Sequence, residues 1–147
     1  MDAAAVSVVV PVRDAERYLD ESLRSIHEQT LHDFEVVVFD DGSTDRSIDI
    51  ARNWADKDAR FKLFSSSYPL GLTGSSNEAV RLSAAPIVAR MDADDIAHPD
   101  RLRRQLHAIL AADDVVIVGT LTDGIDRSGK RIKTRDRGRV LKPAPFH

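Results

Sequence analysis

Residues 88–102 read VARMDADDIAHPDRL, and Asp92, Asp94 and Asp95 crowd three carboxylates into four positions after a short apolar run. Like charges this close repel one another, and they give a folding chain little that Ser or Asn would not. Separated by one residue at the exit of a strand, the Asp92 and Asp94 side chains can point the same way. Two carboxylates on one side make an oxygen site for a hard divalent cation such as Mn2+ or Mg2+. Such a cation keeps open positions for the oxygens of a diphosphate, where it would neutralise charge growing on a departing phosphate. The same acids also suit a helix start, where each is worth about 0.3–1 kcal/mol against the helix dipole. A second acidic pair, Asp40 and Asp41 in DDGSTD, either shapes a turn or accepts a hydrogen bond from a nucleobase N–H or a ribose hydroxyl. His98 is a helix-start neighbour or a minor contact for metal or phosphate.

Elements on either side must hold those acids in place. VSVVVPV, Val6 to Val12, is β-branched and almost continuous, as suits a strand buried on both faces. YLDESLRSIHEQT follows, with Leu19, Leu23 and Ile26 at helical spacing and Asp20 and Glu21 facing out. FEVVVFD, Phe34 to Asp40, is a second buried strand. Gly42 then supplies a turn, and Ser43 or Thr44 is placed to cap a helix over roughly residues 45–57. That helix carries Ile48, Ala51, Trp54 and Ala55 along one side.

A shorter strand starts near Arg60, SSYPLGLTGSSNEAV runs into a third helix ending near Ser83, and PIVARM is a fourth strand that exits into DADD. HPDRLRRQLHAILAA predicts a fourth helix with Pro99 in its first turn and Leu102, Leu106 and Ile109 inward. VVIVGT, residues 115–120, reads as a fifth strand, DRSGK as a hairpin turn and RIKT as an edge strand; residues 133–147 form a basic, irregular tail. Strand and helix in alternation predict one α/β domain over residues 1–147, a mostly parallel sheet with helices on both faces. Ligands of such sheets bind beyond the carboxyl ends of the strands, near a switch in strand order. PVRDAE, DDGSTD and DADD occupy three of those ends and should converge on one side.

Composition narrows the function classes. A chain of 147 residues that is 42 % hydrophobic and 31 % charged is globular. A net charge of −3 gives no reason to expect nucleic acid as a partner. With no cysteine there is neither a disulfide framework nor a thiolate zinc site, and the five histidines form no i, i+4 pair. The opening MDAAAVSVVVPVRD lacks a basic n-region, and its apolar run is far shorter than a membrane span. This predicts a cytoplasmic protein, one that can still work peripherally at the inner face of a membrane. A receiver-like signalling domain would want its acid pair after the first strand, where PVRD stands. A nucleotidyltransferase would want a glycine-rich loop there, and PVRDAERY has no glycine.

Taken in order, VSVVVPVRDAERYLDESLRSIHEQTLHDFEVVVFDDGSTDRS, GLTGSSNEAVRLSAAPIVARMDADDIAHPDRLRRQ and VVIVGTLTDGIDRSGKRI resemble the inverting glycosyltransferases of family 2, with the GT-A fold, over about residues 5 to 132. The resemblance implies a nucleotide-diphosphate sugar donor, most often a UDP-sugar, a divalent metal, and a sugar or lipid-linked acceptor of the kind used in cell-wall or exopolysaccharide synthesis. It implies that Pro11, Val12 and Arg13 line the base and ribose, and that Asp41 contacts the base. Asp92, with Ala93 beside it, would lie near ribose and metal, and Asp94 would bind the metal directly. Asp95 would stand behind the metal or on the acceptor side, and Asn77 and Arg90 near the diphosphate and donor sugar. The family more often has Tyr-Asn where this chain has Arg13-Asp14; a guanidinium can also stack on a base.

Inverting transfer also needs a carboxylate base for the acceptor hydroxyl, a contribution of about 10²–10⁴-fold. After Asp95 the acids are Asp100, Asp113, Asp114, Asp123, Asp126 and Asp136, none in a recognisable base motif, and the family's later Arg-Trp signature is absent. The catalytic base is therefore unassigned. An excised donor-binding half is the preferred expectation. A chain completed by a second polypeptide, or a catalytically silent nucleotide-sugar and metal binder, are the alternatives.

Overall fold

The computed structural model describes residues 4–111, 114–126 and 128–132. These fall into two compact units, one running through Val116 and the other beginning at Ile117. Four parallel strands organise the first: β1 (Val6–Val12), β2 (Phe34–Asp40), β3 (Phe61–Ser65) and β4 (Ile87–Arg90). Their order across the sheet is β3-β2-β1-β4. The helices between and after them are α1 (Leu19–His27), α2 (Ser47–Lys57), α3 (Gly71–Arg81) and α4 (Arg101–Leu110).

Every residue of β1 and β2 is buried, which explains why both strands read as unbroken β-branched runs rather than alternating ones. Even-numbered side chains, Val6, Val8, Val10 and Val12 with Val36 and Val38, join Leu19, Leu23 and Ile26 of α1, Ala51 and Trp54 of α2 and Leu102 of α4 in one core. Odd-numbered Val9, Val37 and Phe39 meet Ala79 of α3 on the other face, with Leu70 and Leu82 packed against them. Each buried Val or Leu is worth about 1.5–3 kcal/mol, so the larger core carries most of the fold's stability.

Glu35 lies near the start of β2, opposite Ser7 of β1, and is only 5 % exposed. Ser7 Oγ donates to its Oε1 at 2.6 Å, the Ala84 amide donates to the same oxygen at 2.6 Å, and Lys62 Nζ donates to Oε2 at 2.6 Å. Burial pushes the carboxyl up, but the hydrogen bonds from Lys62, Ser7 and Ala84 outweigh it and hold the pKa at about 2. At the far end of the same strand, Asp41 accepts from the Leu70 and Gly71 amides at 2.6 and 2.9 Å. Two acids following β2's odd-numbered face thus hold both ends of α3, one at its N-terminus and one just past its C-terminus.

Several expectations need correction. Residues 115–120 are not a strand: no strand pairs with them among the described residues, and Val116 and Ile117 are 80 % and 84 % exposed. A β-branched run becomes a strand only where a neighbour takes its hydrogen bonds. Neither Ser43 nor Thr44 caps α2. Its preceding residue is Arg46, and Asp45 Oδ1 accepts from the Ser47 amide instead. Pro99 precedes α4 rather than sitting in its first turn, since Asp100 holds the N-cap position. The hairpin forms as expected: β5 (Gly124–Ile125) pairs antiparallel with β6 (Arg131–Ile132) across a turn in which Gly129 has φ 80°. The tail over 133–147 lies outside the described residues.

Candidate functional site

The chain places β2 and then β3 on one side of β1 before returning to place β4 on the other. That reversal between β1 and β4 is the switch point at which parallel sheets open a crevice. Val9 pairs with Arg90, so the PVRD and MDADD exits leave the sheet from neighbouring strands at the same end.

At the β4 exit, Arg90 grips Asp92 with both terminal nitrogens, at 2.5 Å to Oδ1 and 3.3 Å to Oδ2. Ala93 is buried in the larger core and anchors the turn between the two acids. Asp94 is exposed and has no protein partner among the described residues. Asp95 sits beside them. Partial burial first, then the Asp92 and Asp94 charges, raise its pKa against the pull of Arg101 and Arg90. Arg101 Nη2 donates to the Arg90 carbonyl at 2.7 Å, which ties the start of α4 to the β4 exit.

The acid-bearing loop is held by α1. Ser22 Oγ donates to the Asp92 carbonyl at 3.4 Å, and the Ala97 amide donates to Ser25 Oγ at 2.9 Å. Gln29, buried, donates to the His98 carbonyl at 2.8 Å and accepts from the Leu102 amide at 3.0 Å. Thr30 reaches the Pro99 carbonyl and the Asp100 carboxylate. None of these helpers was expected. Their signal in the sequence is polar residues at i, i+3 and i+7 on the helix side that also carries Leu19, Leu23 and Ile26.

At the β1 and β2 exits, Pro11 and Val12 are buried, and the Val12 carbonyl accepts from the Asp41 amide at 2.8 Å. Arg13 is half exposed, with Nη1 4.0 Å from Asp41 Oδ2 and Nε 3.9 Å from Asp14 Oδ2. Asp40 Oδ2 accepts from the Ser43 amide, while its buried Oδ1 has no partner among the described residues. Among the described residues, six further hydrogen bonds that involve side chains sew the two exits together, among them Ala15 N–H to Ser47 Oγ, Glu16 N–H to Asp45 Oδ2 and Arg46 N–H to Glu16 Oε2. Asn77 is exposed on α3 and, among the described residues, is joined to neither exit by a hydrogen bond.

Among the described residues, no three His, Asp or Glu side chains are grouped to hold a metal ion by themselves. The β4 exit nevertheless fits a hard cation that brings other oxygen ligands with it. Its donors are all carboxylates, Asp94 has no partner among the described residues, and Asp95, whose pKa is raised first by burial and then by the Asp92 and Asp94 charges, stands beside them. Of the later acids, Asp100 is bound by Thr30, Arg103 and Arg104, Asp123 by Arg131, and Asp126 by Ser128 and Lys130. Asp114 is exposed, and Asp113 and Asp136 lie outside the described residues. No helix among the described residues is long and apolar enough to cross a membrane.

Residues 7–145 match the profile described as "Glycosyl transferase family 2". An uncharacterized glycosyltransferase of Haemophilus influenzae is 35 % identical over 136 residues, covering 89 % of this chain and 42 % of that protein. Among solved structures, S. aureus TarS 1-349 in complex with UDP-GlcNAc superposes with TM-score 0.66 at 29 % identity, over 72 % of this chain and 31 % of TarS. The mannosyltransferase PcManGT of Pyrobaculum calidifontis, in complex with GDP-Man and Mn2+, gives TM-score 0.61 at 30 % identity, over 69 % of this chain and 31 % of PcManGT. The chain spans about half the length of the curated relatives it matches.

Proposed function

The chain belongs to glycosyl transferase family 2 and has the GT-A fold, and from that premise we propose that it is the donor-binding part of an inverting glycosyltransferase. Its donor is a nucleotide-diphosphate sugar, with a UDP-sugar favoured, and its acceptor is a hydroxyl of a growing polysaccharide or glycolipid. The observation that carries this reading is the unpartnered Asp94 carboxylate beside the Arg90-bound Asp92, at the switch point of a parallel sheet. TarS with UDP-GlcNAc and PcManGT with GDP-Man and Mn2+ support the same ligand class.

Asp94 and Asp92 hold Mn2+ or Mg2+. Bound there with the diphosphate, the cation supplies Lewis-acid stabilisation of the charge on the leaving nucleotide, worth several kcal/mol. Arg90 is placed to exchange part of its grip on Asp92 for a phosphate oxygen. Arg13 and Asp41 face the base, Pro11 and Val12 form the floor beneath it, and Ala93 fixes the spacing of the two acids. Asn77 serves the donor sugar. The work is done on the cytoplasmic side, at a membrane surface when the acceptor is lipid-linked, with the acceptor site and base supplied by a further stretch of chain or a second polypeptide.

A second reading, a nucleotide-sugar binder without catalysis, is favoured by one observation. Asp100, Asp123 and Asp126 all spend their carboxylates on neighbours, leaving no free base among them.

Thermal unfolding with saturating UDP, GDP or dTDP, each with Mn2+ or with EDTA, tests the common core of both. Ligand at about 100 times its dissociation constant adds roughly 2.7 kcal/mol, a rise of very roughly 5–10 °C for a domain of this size. The expected result is a Mn2+-dependent rise with one nucleotide that disappears in Asp94→Ala; no rise with any of them rejects the donor site. Transfer or hydrolysis of the matching donor sugar separates an enzyme from a silent binder.

A further inference from the structure

Arg13 has five N–H donors, and none lies within hydrogen-bonding distance of a protein acceptor among the described residues. Its two carboxylate neighbours stand at 3.9 and 4.0 Å. Such loose ion pairs do not fix a long, half-exposed side chain. What the structure does fix is the backbone that carries it, through the next residue. Asp14 is the one non-glycine residue with positive φ among those described, at 48°. Asp tolerates this left-handed conformation better than most residues because its short side chain can bond locally. Here Asp14 Oδ1 accepts from the Thr44 amide at 2.8 Å and from Thr44 Oγ1 at 3.2 Å, while its own amide donates to Ser43 Oγ at 3.1 Å. Oδ2 is left facing Arg13 Nε.

We propose that Asp14 is a positioning residue: it fastens the β1 exit to the β2 exit in a left-handed turn and so aims the Arg13 guanidinium past Asp41 at the nucleotide. This rests on the nucleotide-binding reading above. Pre-setting a long side chain in its bound direction gains affinity by removing the ordering cost from the binding step. The turn is what lets an arginine serve at the position where the resemblance leads one to expect an aromatic ring.

The test is a set of calorimetric affinities for UDP and for GDP with Mn2+, on the 147-residue chain and on Asp14→Asn, Asp14→Ala, Arg13→Ala and the Arg13→Ala/Asp14→Ala double variant. Asp14→Ala is expected to weaken binding at least about fivefold, and Asp14→Asn, which keeps the acceptor and the backbone preference, to stay within about twofold of wild type. In the Arg13→Ala background the Asp14→Ala change should cost nothing further, because its effect passes through the guanidinium. Full affinity in Asp14→Ala, failure of Asn to preserve binding, or an undiminished loss on top of Arg13→Ala each overturns the proposal while leaving the nucleotide site standing. Wild type binding neither nucleotide rejects the donor site and this role with it. If Asp14→Ala does not fold, Asp14→Gly replaces it, since glycine accepts the turn without strain but lacks the acceptor; wild-type affinity in that variant also overturns the role.

Discussion

Glu35 and the Asp92–Asp95 cluster are acidic groups at opposite ends of one parallel sheet, and their surroundings differ in kind. Glu35 is buried, receives Ser7, Ala84 and Lys62, and is held ionised well below the usual carboxylate range. Asp94 is exposed with no partner among the described residues, and Asp95 is pushed the other way, toward keeping its proton. Where an acid serves the fold, the chain supplies its positive charge and donors. Where charge is left outstanding, it faces solvent, and on the donor-site reading a cation would take it up. Asp41 lies between these extremes: both of its oxygens hold the start of α3, and Arg13 still approaches one of them at 4.0 Å.

The contrast can be broken most forcefully at Glu35. Glu35→Ala leaves the Ser7 hydroxyl, the Ala84 amide and the Lys62 ammonium without their acceptor, and should cost about 2–4 kcal/mol, measured as a lower midpoint in urea. A loss below about 1 kcal/mol would show that the node is dispensable. Acid should reproduce part of that loss in the wild type. The folded pKa of about 2 lies below the ordinary 4.5, so the contribution is whole above about pH 5 and drains away as pH falls toward 2. The integrated effect is about 3 kcal/mol, and Glu35→Gln should flatten that limb of the stability–pH curve.

At the other end the signs reverse. Asp94→Ala should change unliganded stability by no more than about 0.5 kcal/mol, as for an exposed residue with no contacts. It should nevertheless abolish the roughly 2.7 kcal/mol of Mn2+-dependent nucleotide stabilisation expected of the wild type. A large loss of intrinsic stability would instead make Asp94 a fold acid like Glu35. The finest test is the carboxyl resonance of Asp95 followed against pH. In Asp94→Asn its pKa should move down, because one of the neighbouring charges that raises it is gone, while the burial that raises it most remains.

How legible all this was depended on range. β2 could be bounded from the sequence at Phe34 and Asp40 because strands buried on both faces print themselves as apolar runs. The same criterion misread residues 115–120, since a β-branched run says nothing about whether a neighbouring strand is there to pair with it. Capping by Ser43 or Thr44 was a local inference defeated by a distant partner: Asp14 takes the Thr44 hydroxyl, and Ser43 takes the Asp14 amide. The acids of the site stood out by their crowding, whereas Glu35 was concealed inside FEVVVFD and Gln29 inside a helical run. Their importance comes from contacts with Ala84 and with Leu102, far along the chain.

The strand order also sets a sequence of events. β1 meets β2 across about 28 residues of chain but meets β4 across about 81, so closing the second loop costs roughly 1 kcal/mol more in chain entropy. Folding rates fall as contacts reach farther along the chain. The β3-β2-β1 half, with Arg13, Asp14 and Asp41, is therefore expected to assemble before β4 docks onto it with Asp92, Asp94 and Asp95, an order that pulse-labelled amide exchange would check. On that order and on the donor-site reading, the carboxylates that repel one another would join the rest of the site only once the core that holds them exists, and a newly made chain would become competent for its ligand at the last step of its folding.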